Sequence, residues 1–202
     1  MYFDALINPL GQVLLGEFHQ EVLTSISEVD PKTAVSTISL FGESCWSLIE
    51  RSYKDPTLAK MYFKQTSAYQ QVTRSVLQLI PGFEVVQSQV VWLRSGCQVQ
   101  PHIDLQRIYT LTRRLHVQLS IAPGAIMSAW SGFDKVNFQE PIGSVYELNN
   151  RVLHSAEHAG ADGIYALLVL DVAQPGLIFT ERDNVEKVPQ VQTFNLPARL
   201  AR

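Results

Sequence analysis

Hydrophobic residues recur at helical spacing in two stretches near the start of the chain. The apolar positions within 17–29 and within 67–80 are three or four residues apart, which places them on one face of an amphipathic helix. Pro31 ends the first helix, and Pro81-Gly82 ends the second. Residues 33–41 are rich in β-branched side chains and predict a strand, whereas 45–53 and 55–64 are ambiguous. We therefore expect residues 1–82 to form a helical and mixed N-terminal layer, opened by a short strand and a turn at Asn8-Pro9-Leu10-Gly11.

From Phe83 onward the pattern changes to short strands separated by glycine and proline turns. The predicted strands cover 84–93, 97–104, 113–121, 125–130, 143–148 and 164–172, with 105–112 as a loop and 158–163 as a polar turn. Such a series is typical of a β-barrel or jelly roll. The expected fold is thus mainly β with N-terminal helices, in a single domain over residues 1–202. Residues 83–173 are its core, and 174–202 are a C-terminal tail.

The strand predicted at 113–121 alternates polar and apolar residues, and one of its faces is made by Arg114, His116, Gln118 and Ser120. A polar face of this kind is ordinarily turned to water. An arginine and a histidine on one face also suit the binding of a buried anion, provided that the face is turned into a closed β-fold.

Composition excludes several other classes of protein. The chain has 202 residues and a net charge of −3, so no basic excess indicates nucleic-acid binding. The first residues do not resemble a signal peptide, and no apolar run approaches the roughly 18 residues that a membrane span needs. We therefore expect a cytoplasmic protein without nucleic-acid or membrane partners. Cys45 and Cys97 form no zinc pattern and are expected to be free buried thiols.

The candidate chemistry lies in Gln100-Pro101-His102-Ile103-Asp104. Alternate side chains of an extended segment point to the same side, so His102 and Asp104 would converge. His154 follows the strand at 143–148 and offers a third ligand. Two histidines and one carboxylate are the ligand set of non-haem Fe(II) oxygenases, whereas the simpler interpretation of His-x-Asp is a hydrogen-bonded surface turn.

Three segments in this order resemble the aspartyl/asparaginyl β-hydroxylase family of Fe(II)- and 2-oxoglutarate-dependent dioxygenases, which includes bacterial free-proline hydroxylases. They are Pro101-His102-Ile103-Asp104, Arg114-Leu115-His116, and 146–157 followed by an apolar strand that ends at Asp171-Val172. The resemblance covers residues 83–173. It implies a double-stranded β-helix, or cupin-like jelly roll, in which His102, Asp104 and His154 hold iron. It also implies that Arg114 and His116 contact the carboxylate of 2-oxoglutarate.

One departure from the family concerns the arginine that grips the far carboxylate of 2-oxoglutarate, about ten residues after the distal histidine. Tyr165 stands at that position, and a phenol can hydrogen-bond a carboxylate but cannot neutralise it. Arg107, Arg113 and Arg151 are candidates for a relocated clamp, although Arg151 would face away from the site on a regular strand. A relocated clamp, a different co-substrate and a lost activity all remain open.

The sequence therefore predicts a 2-oxoglutarate-dependent hydroxylase that acts on an amino acid, an amino-acid-derived metabolite or a peptidyl residue. The alternatives are a non-enzymatic β-barrel binding protein with a degenerate metal site and a cupin-like metalloenzyme that uses no 2-oxoglutarate. Trp92 and Trp130 are expected to pack in the core or line a substrate pocket, and His158 is left out of the metal ligands.

Overall fold

The computed structural model describes residues 6–28, 45–49, 66–104, 107–160 and 162–176. Its helices are α1 (Glu17–Glu28), α2 (Ser67–Leu79) and the short α3 (Arg107–Leu111). None of these described helices combines the length and the apolar character that crossing a bilayer requires. The strand predicted at 33–41, the ambiguous segment 55–64 and most of the predicted tail lie outside the described residues.

Ten strands form two antiparallel sheets in the described part of the chain. They are β1 (Ile7–Gln12), β2 (Cys45–Ile49), β3 (Glu84–Arg94), β4 (Cys97–His102), β5 (Arg113–Ser120), β6 (Ala125–Ser131), β7 (Asp134–Phe138), β8 (Ser144–Leu148), β9 (His154–His158) and β10 (Ile164–Ala173). The larger sheet has the order β1-β8-β5-β10-β3-β2, and the smaller has the order β4-β9-β6-β7. From β3 to β10 the strands alternate between the two sheets, except that β6 and β7 pair as a hairpin within the smaller sheet, and this is the topology of a double-stranded β-helix. The expected jelly roll is therefore confirmed.

Two apolar clusters lie on opposite faces of the larger sheet. On its outer face, the hydrophobic stripes of α1 and α2 pack against Val117, Leu168 and their neighbours. On its inner face, Tyr146, Tyr165 and Leu167 meet Met127 and Ala129 of the smaller sheet. The first cluster attaches the helices, and the second fills the space between the sheets, where the polar face of β5 also lies.

The N-terminus of α2 follows from a local signal. The hydroxyl of Thr66 accepts a hydrogen bond of 3.0 Å from the backbone N–H of Tyr69, which satisfies one of the donors exposed at a helix start. Tyr69, Val72 and Val76 are buried along one side of the helix. The predicted helices over 17–29 and 67–80 are therefore confirmed, each ending one residue earlier than expected.

Three local expectations were wrong. Asn8-Pro9-Leu10-Gly11 lies inside β1 and is not a turn; a proline is tolerated there because β1 is an edge strand with an irregular register between Pro9 and Gly11. Residues 107–111 of the predicted loop form α3. The polar turn predicted at 158–163 does not include His158, which is the last residue of β9 and is fully buried. β9 pairs on both sides, with β4 and with β6.

Candidate metal centre

The candidate metal ligands come from two paired strands and the segment that follows one of them. His102 ends β4 and is the direct partner of His154, the first residue of β9. Their imidazole rings lie 4.3 Å apart between centroids. Asp104 is two residues beyond β4, with Oδ1 3.6 Å from Nε2 of His102 and Oδ2 4.0 Å from Nε2 of His154. One ligand atom from each of the three residues lies within 4.8 Å of the others, close enough to bind one ion.

Backbone carbonyl groups fix both imidazoles. Nδ1 of His102 lies 2.8 Å from the carbonyl oxygen of Gln100, and Nδ1 of His154 lies 2.9 Å from that of Val152. A carbonyl only accepts, so each Nδ1 carries the proton and each Nε2 presents its lone pair to the centre. Hydrogen bonds of this kind orient the histidine ligands of metal sites.

The charge states of His154 and Asp104 suit the binding of a metal ion. Burial lowers the pKa of His154 to about 4, although Asp104 opposes the shift, so the ring is neutral near pH 7. Burial alone would raise the pKa of Asp104, but Arg114, His154 and His102 outweigh it and lower that pKa below its usual value. The centre therefore offers two imidazole nitrogens and a carboxylate, a donor set that suits divalent iron.

Arg114 links this carboxylate to a second one. Its Nη1 donates to Oδ2 of Asp104 at 2.5 Å, and its Nε and Nη2 donate to the two carboxylate oxygens of Asp171 at 2.9 and 3.1 Å. The ring of Tyr109 on α3 covers the guanidinium, with its centroid 3.8 Å from Cζ. Burial lowers the pKa of Arg114, but the two aspartates outweigh it and raise that pKa well above its usual value, so the side chain stays charged.

The polar face of β5 is turned inward and is buried, which excludes the interpretation of a water-facing strand. His116 on this face is 5% exposed, and its Nδ1 has no hydrogen-bond partner among the described residues. Its ring meets that of Tyr146 edge-on at 5.2 Å. Burial, reinforced by Arg114 and His154, lowers the pKa of His116 to about 3, so the ring is neutral.

Tyr165 also lies inside the β-fold. Its hydroxyl lies 3.3 Å from Oε1 of Gln118, to which it donates, and the hydroxyl of Tyr146 lies 3.4 Å from the sulfur of Met127. Burial raises the pKa of both tyrosines, so both hydroxyls remain protonated and able to donate. These groups hydrogen-bond but carry no charge.

Two of the three alternative arginines, Arg113 and Arg151, have their hydrogen-bond partners outside the three candidate ligands. Arg113 forms a two-pronged pair with Glu147, at 2.9 and 2.7 Å, and its guanidinium lies 5.0 Å from the ring centroid of Phe83. Arg151 is exposed and donates to the carbonyl oxygen of Thr110 at 2.7 Å. The side chain of Arg107 lies outside the described residues.

Of the two tryptophans expected to pack in the core or to line a pocket, one does each. Trp92 is buried in the cluster beneath the helices. Trp130 lines a groove of about 510 Å³, together with Pro101, Leu153 and Lys135. Pro101 and Leu153 immediately precede the two histidine ligands in sequence, but none of the three candidate ligands lines the groove. Cys97 is a free buried thiol, as expected.

Asp171 and Tyr109 are parts of the site that the sequence interpretation did not assign. A signal for Asp171 exists, because it is a charged residue in the otherwise apolar strand β10. A carboxylate in such a strand needs a buried cation. The sequence gives no comparable signal for Tyr109, whose position over Arg114 depends on how α3 folds back.

Comparisons with known proteins show the fold. No family model and no curated protein matches the chain. Among solved structures, AviO1 from Streptomyces viridochromogenes Tue57 superposes with a TM-score of 0.55 at 12% identity, covering 86% of this chain and 92% of that one. The non-heme alpha ketoglutarate dependent epimerase SnoN from nogalamycin biosynthesis has a TM-score of 0.54 at 12% identity, covering 84% and 76%. The carbocyclase SnoK from the same biosynthesis has a TM-score of 0.53 at 12% identity, covering 84% and 79%.

Proposed function

We propose that this chain is an Fe(II)- and 2-oxoglutarate-dependent oxygenase that hydroxylates an unactivated C–H bond of an amino acid, an amino-acid-derived metabolite or a peptidyl residue. The observation that carries the proposal is the convergence of His102, Asp104 and His154, with both Nε2 atoms presented to one point by backbone hydrogen bonds. SnoN and SnoK are described as alpha ketoglutarate dependent enzymes, which supports the same chemistry here.

The proposed roles of the side chains follow from their placement. His102, Asp104 and His154 would hold the iron. Bound iron would supply the activation of O2, with one oxygen atom going to succinate as 2-oxoglutarate loses CO2 and the other going to the substrate as a hydroxyl. The buried aromatic residues between the sheets would keep water away from the reacting groups.

Charge balance shows what the co-substrate needs from the protein. Among the described groups at the centre, Asp104 and Asp171 carry two negative charges and Arg114 carries one positive charge. A divalent metal brings this sum to +1, and the chelating carboxylate of 2-oxoglutarate brings it to zero. The far carboxylate then depends on hydrogen bonds, for which we propose the hydroxyl of Tyr165 and the ring N–H of His116.

The test is an anaerobic titration of the Fe(II)-loaded protein with 2-oxoglutarate, followed by the weak visible metal-to-ligand charge-transfer band. We expect a band that saturates. We also expect His102→Ala and Asp104→Ala to abolish stoichiometric Fe(II) binding while circular dichroism shows a retained fold. Unchanged metal content in these variants would refute the proposed site.

A second candidate is a metalloenzyme that uses no 2-oxoglutarate. It is favoured by one observation: the guanidinium of Arg114 is already bound to two aspartates. Iron binding without the charge-transfer band would support this candidate and exclude the first. Absence of iron binding would instead leave the non-enzymatic binding protein.

A further inference from the structure

Arg114 has two carboxylate partners, and they differ in their surroundings. Asp171 is 1% exposed at the end of β10, whereas Asp104 is 12% exposed and belongs to the candidate metal centre. We propose that the Arg114–Asp171 pair is a positioning device that holds Asp104 in the orientation needed to bind the metal through Oδ1. This inference rests on the metal-binding part of the proposed function.

The backbone does little to fix the direction of Asp104. β4 ends at His102, so no strand pairing holds the side chain of Asp104 as it holds the two histidines. Its own N–H donates to the carbonyl oxygen of Asn150 at 3.0 Å, which fixes the main chain. The carboxylate receives the 2.5 Å hydrogen bond from Arg114 at Oδ2, and the side chain of Asn150 also stabilises its charged form. That bond leaves Oδ1, on the side of His102, as the oxygen available to a metal.

Arg114 can act in this way because it is itself immobilised. Two parallel hydrogen bonds join its Nε and Nη2 to Asp171, a geometry that fixes the plane of the guanidinium. The ring of Tyr109 covers that plane from α3. The remaining nitrogen, Nη1, is thereby aimed at Asp104.

The same contacts disfavour Arg114 as the anchor of the co-substrate. Turning the guanidinium away from Asp171 would leave a carboxylate buried without its cation, which is strongly unfavourable. We therefore assign Arg114 the role of orienting the metal ligand Asp104. The hydrogen-bonding groups on the inner face are then the ones that bind the far carboxylate.

The test replaces the pair without changing the net charge. The double variant Arg114→Met with Asp171→Leu removes one positive and one negative charge, so a change in metal affinity does not arise from net charge. Replacing a buried ion pair by apolar residues of similar volume commonly preserves the fold. The matched control is Arg113→Met with Glu147→Leu, which removes a two-pronged pair of similar length that lies one residue away on the opposite face of β5.

Two affinities are measured on each purified full-length chain. The first is the dissociation constant for Co(II), together with the visible spectrum of the Co(II)-saturated protein. The second is the dissociation constant for 2-oxoglutarate in the Fe(II)-saturated protein without oxygen. We expect the Arg114/Asp171 variant to bind Co(II) about 10- to 100-fold more weakly, with an altered spectrum, as is typical when a group that orients a metal ligand is lost. The control should bind Co(II) as the wild-type protein does.

Three results would overturn the inference. Wild-type Co(II) affinity in the Arg114/Asp171 variant, with weaker 2-oxoglutarate binding, would make Arg114 a co-substrate contact. An equal loss of Co(II) affinity in both double variants would indicate a general effect on folding. A wild-type protein that does not bind Co(II) would remove the proposed function as well. If wild-type protein binds Co(II) but not 2-oxoglutarate, the positioning role is still measured while the proposed reaction fails.

If the double variant does not fold, Arg114→Lys provides the same test. Lysine keeps the charge but cannot form the two-pronged pair with Asp171 and reach Asp104 at once. Weaker Co(II) binding with an altered spectrum would support the positioning role, and unchanged values of both would overturn it.

Discussion

Replacing His116 by glutamine should remove a large share of the acid sensitivity of the metal-free protein. His116 is buried in the space between the sheets, where its ring meets Tyr146 edge-on. Burial lowers the pKa of this side chain from its ordinary value near 6.5 to about 3. The folded protein therefore keeps the ring neutral at a pH at which the unfolded chain has already bound a proton.

The direction of the effect follows from this difference. When a histidine is harder to protonate in the folded state than in the unfolded state, its contribution to the free energy of unfolding is fully present above the pKa of the unfolded state. That contribution is lost as the pH falls from about 6.5 toward 3, because the unfolded state binds the proton first. Between pH 8 and pH 5 the loss from His116 is about 2 kcal/mol, obtained from the two pKa values through proton linkage.

The assay is urea unfolding at pH 8 and pH 5, in the presence of a chelator, for wild-type protein and His116→Gln. The variant is expected to be less stable than the wild-type protein at both values of pH. Its loss of unfolding free energy between pH 8 and pH 5 should, however, be about 2 kcal/mol smaller than that of the wild type. His154, whose pKa is lowered to about 4, adds a loss of the same sign in both proteins, so it cancels from the comparison.

If His116→Gln lost as much stability between pH 8 and pH 5 as the wild type, His116 would not be buried as a neutral ring. The description of the inner face of β5 would then be incorrect.

Two further predictions concern the start of α2 and the inner face. Thr66→Ala should lower the free energy of unfolding by about 1 kcal/mol, because the N-terminus of α2 loses its side-chain acceptor, while Thr66→Ser should retain most of it in the same urea titration. Tyr165→Phe should weaken 2-oxoglutarate binding by about 2- to 12-fold, the equivalent of one hydrogen bond of about 0.5–1.5 kcal/mol, in the charge-transfer titration. An unchanged dissociation constant would remove Tyr165 from the co-substrate site.

The fold was predictable where hydrophobic periodicity was strong. The stripes of α1 and α2 and the alternation in β5 are each visible within a single short segment of sequence. Two strands were missed. β7, with the sequence Asp-Lys-Val-Asn-Phe, is largely exposed, and β9, with the sequence His-Ser-Ala-Glu-His, has no β-branched residue. Both form because neighbouring strands supply their backbone hydrogen bonds, a tertiary effect that local composition does not show.

The candidate site was predictable in its ligands but not in the contacts around them. His102, Asp104 and His154 could be proposed because their residue types and spacing match a known ligand set. Asp171 could not be proposed as the partner of Arg114, because it lies 57 residues away in sequence and faces Arg114 only through the register of β5 with β10. A period of two predicts which side chains share a face of a strand, but not what that face meets.

The sequence argument for convergence also rested on a strand that ends too early. Regular alternation would place His102 and Asp104 on one side of β4, yet β4 stops at His102. The two histidines are therefore fixed by strand pairing and backbone carbonyl groups, whereas Asp104 is fixed by side chains from β5 and, through Arg114, from β10. The carboxylate is the ligand whose direction depends on residues far away in sequence. Substitutions around Arg114 should therefore disturb metal binding more than equivalent ones on the opposite face of β5.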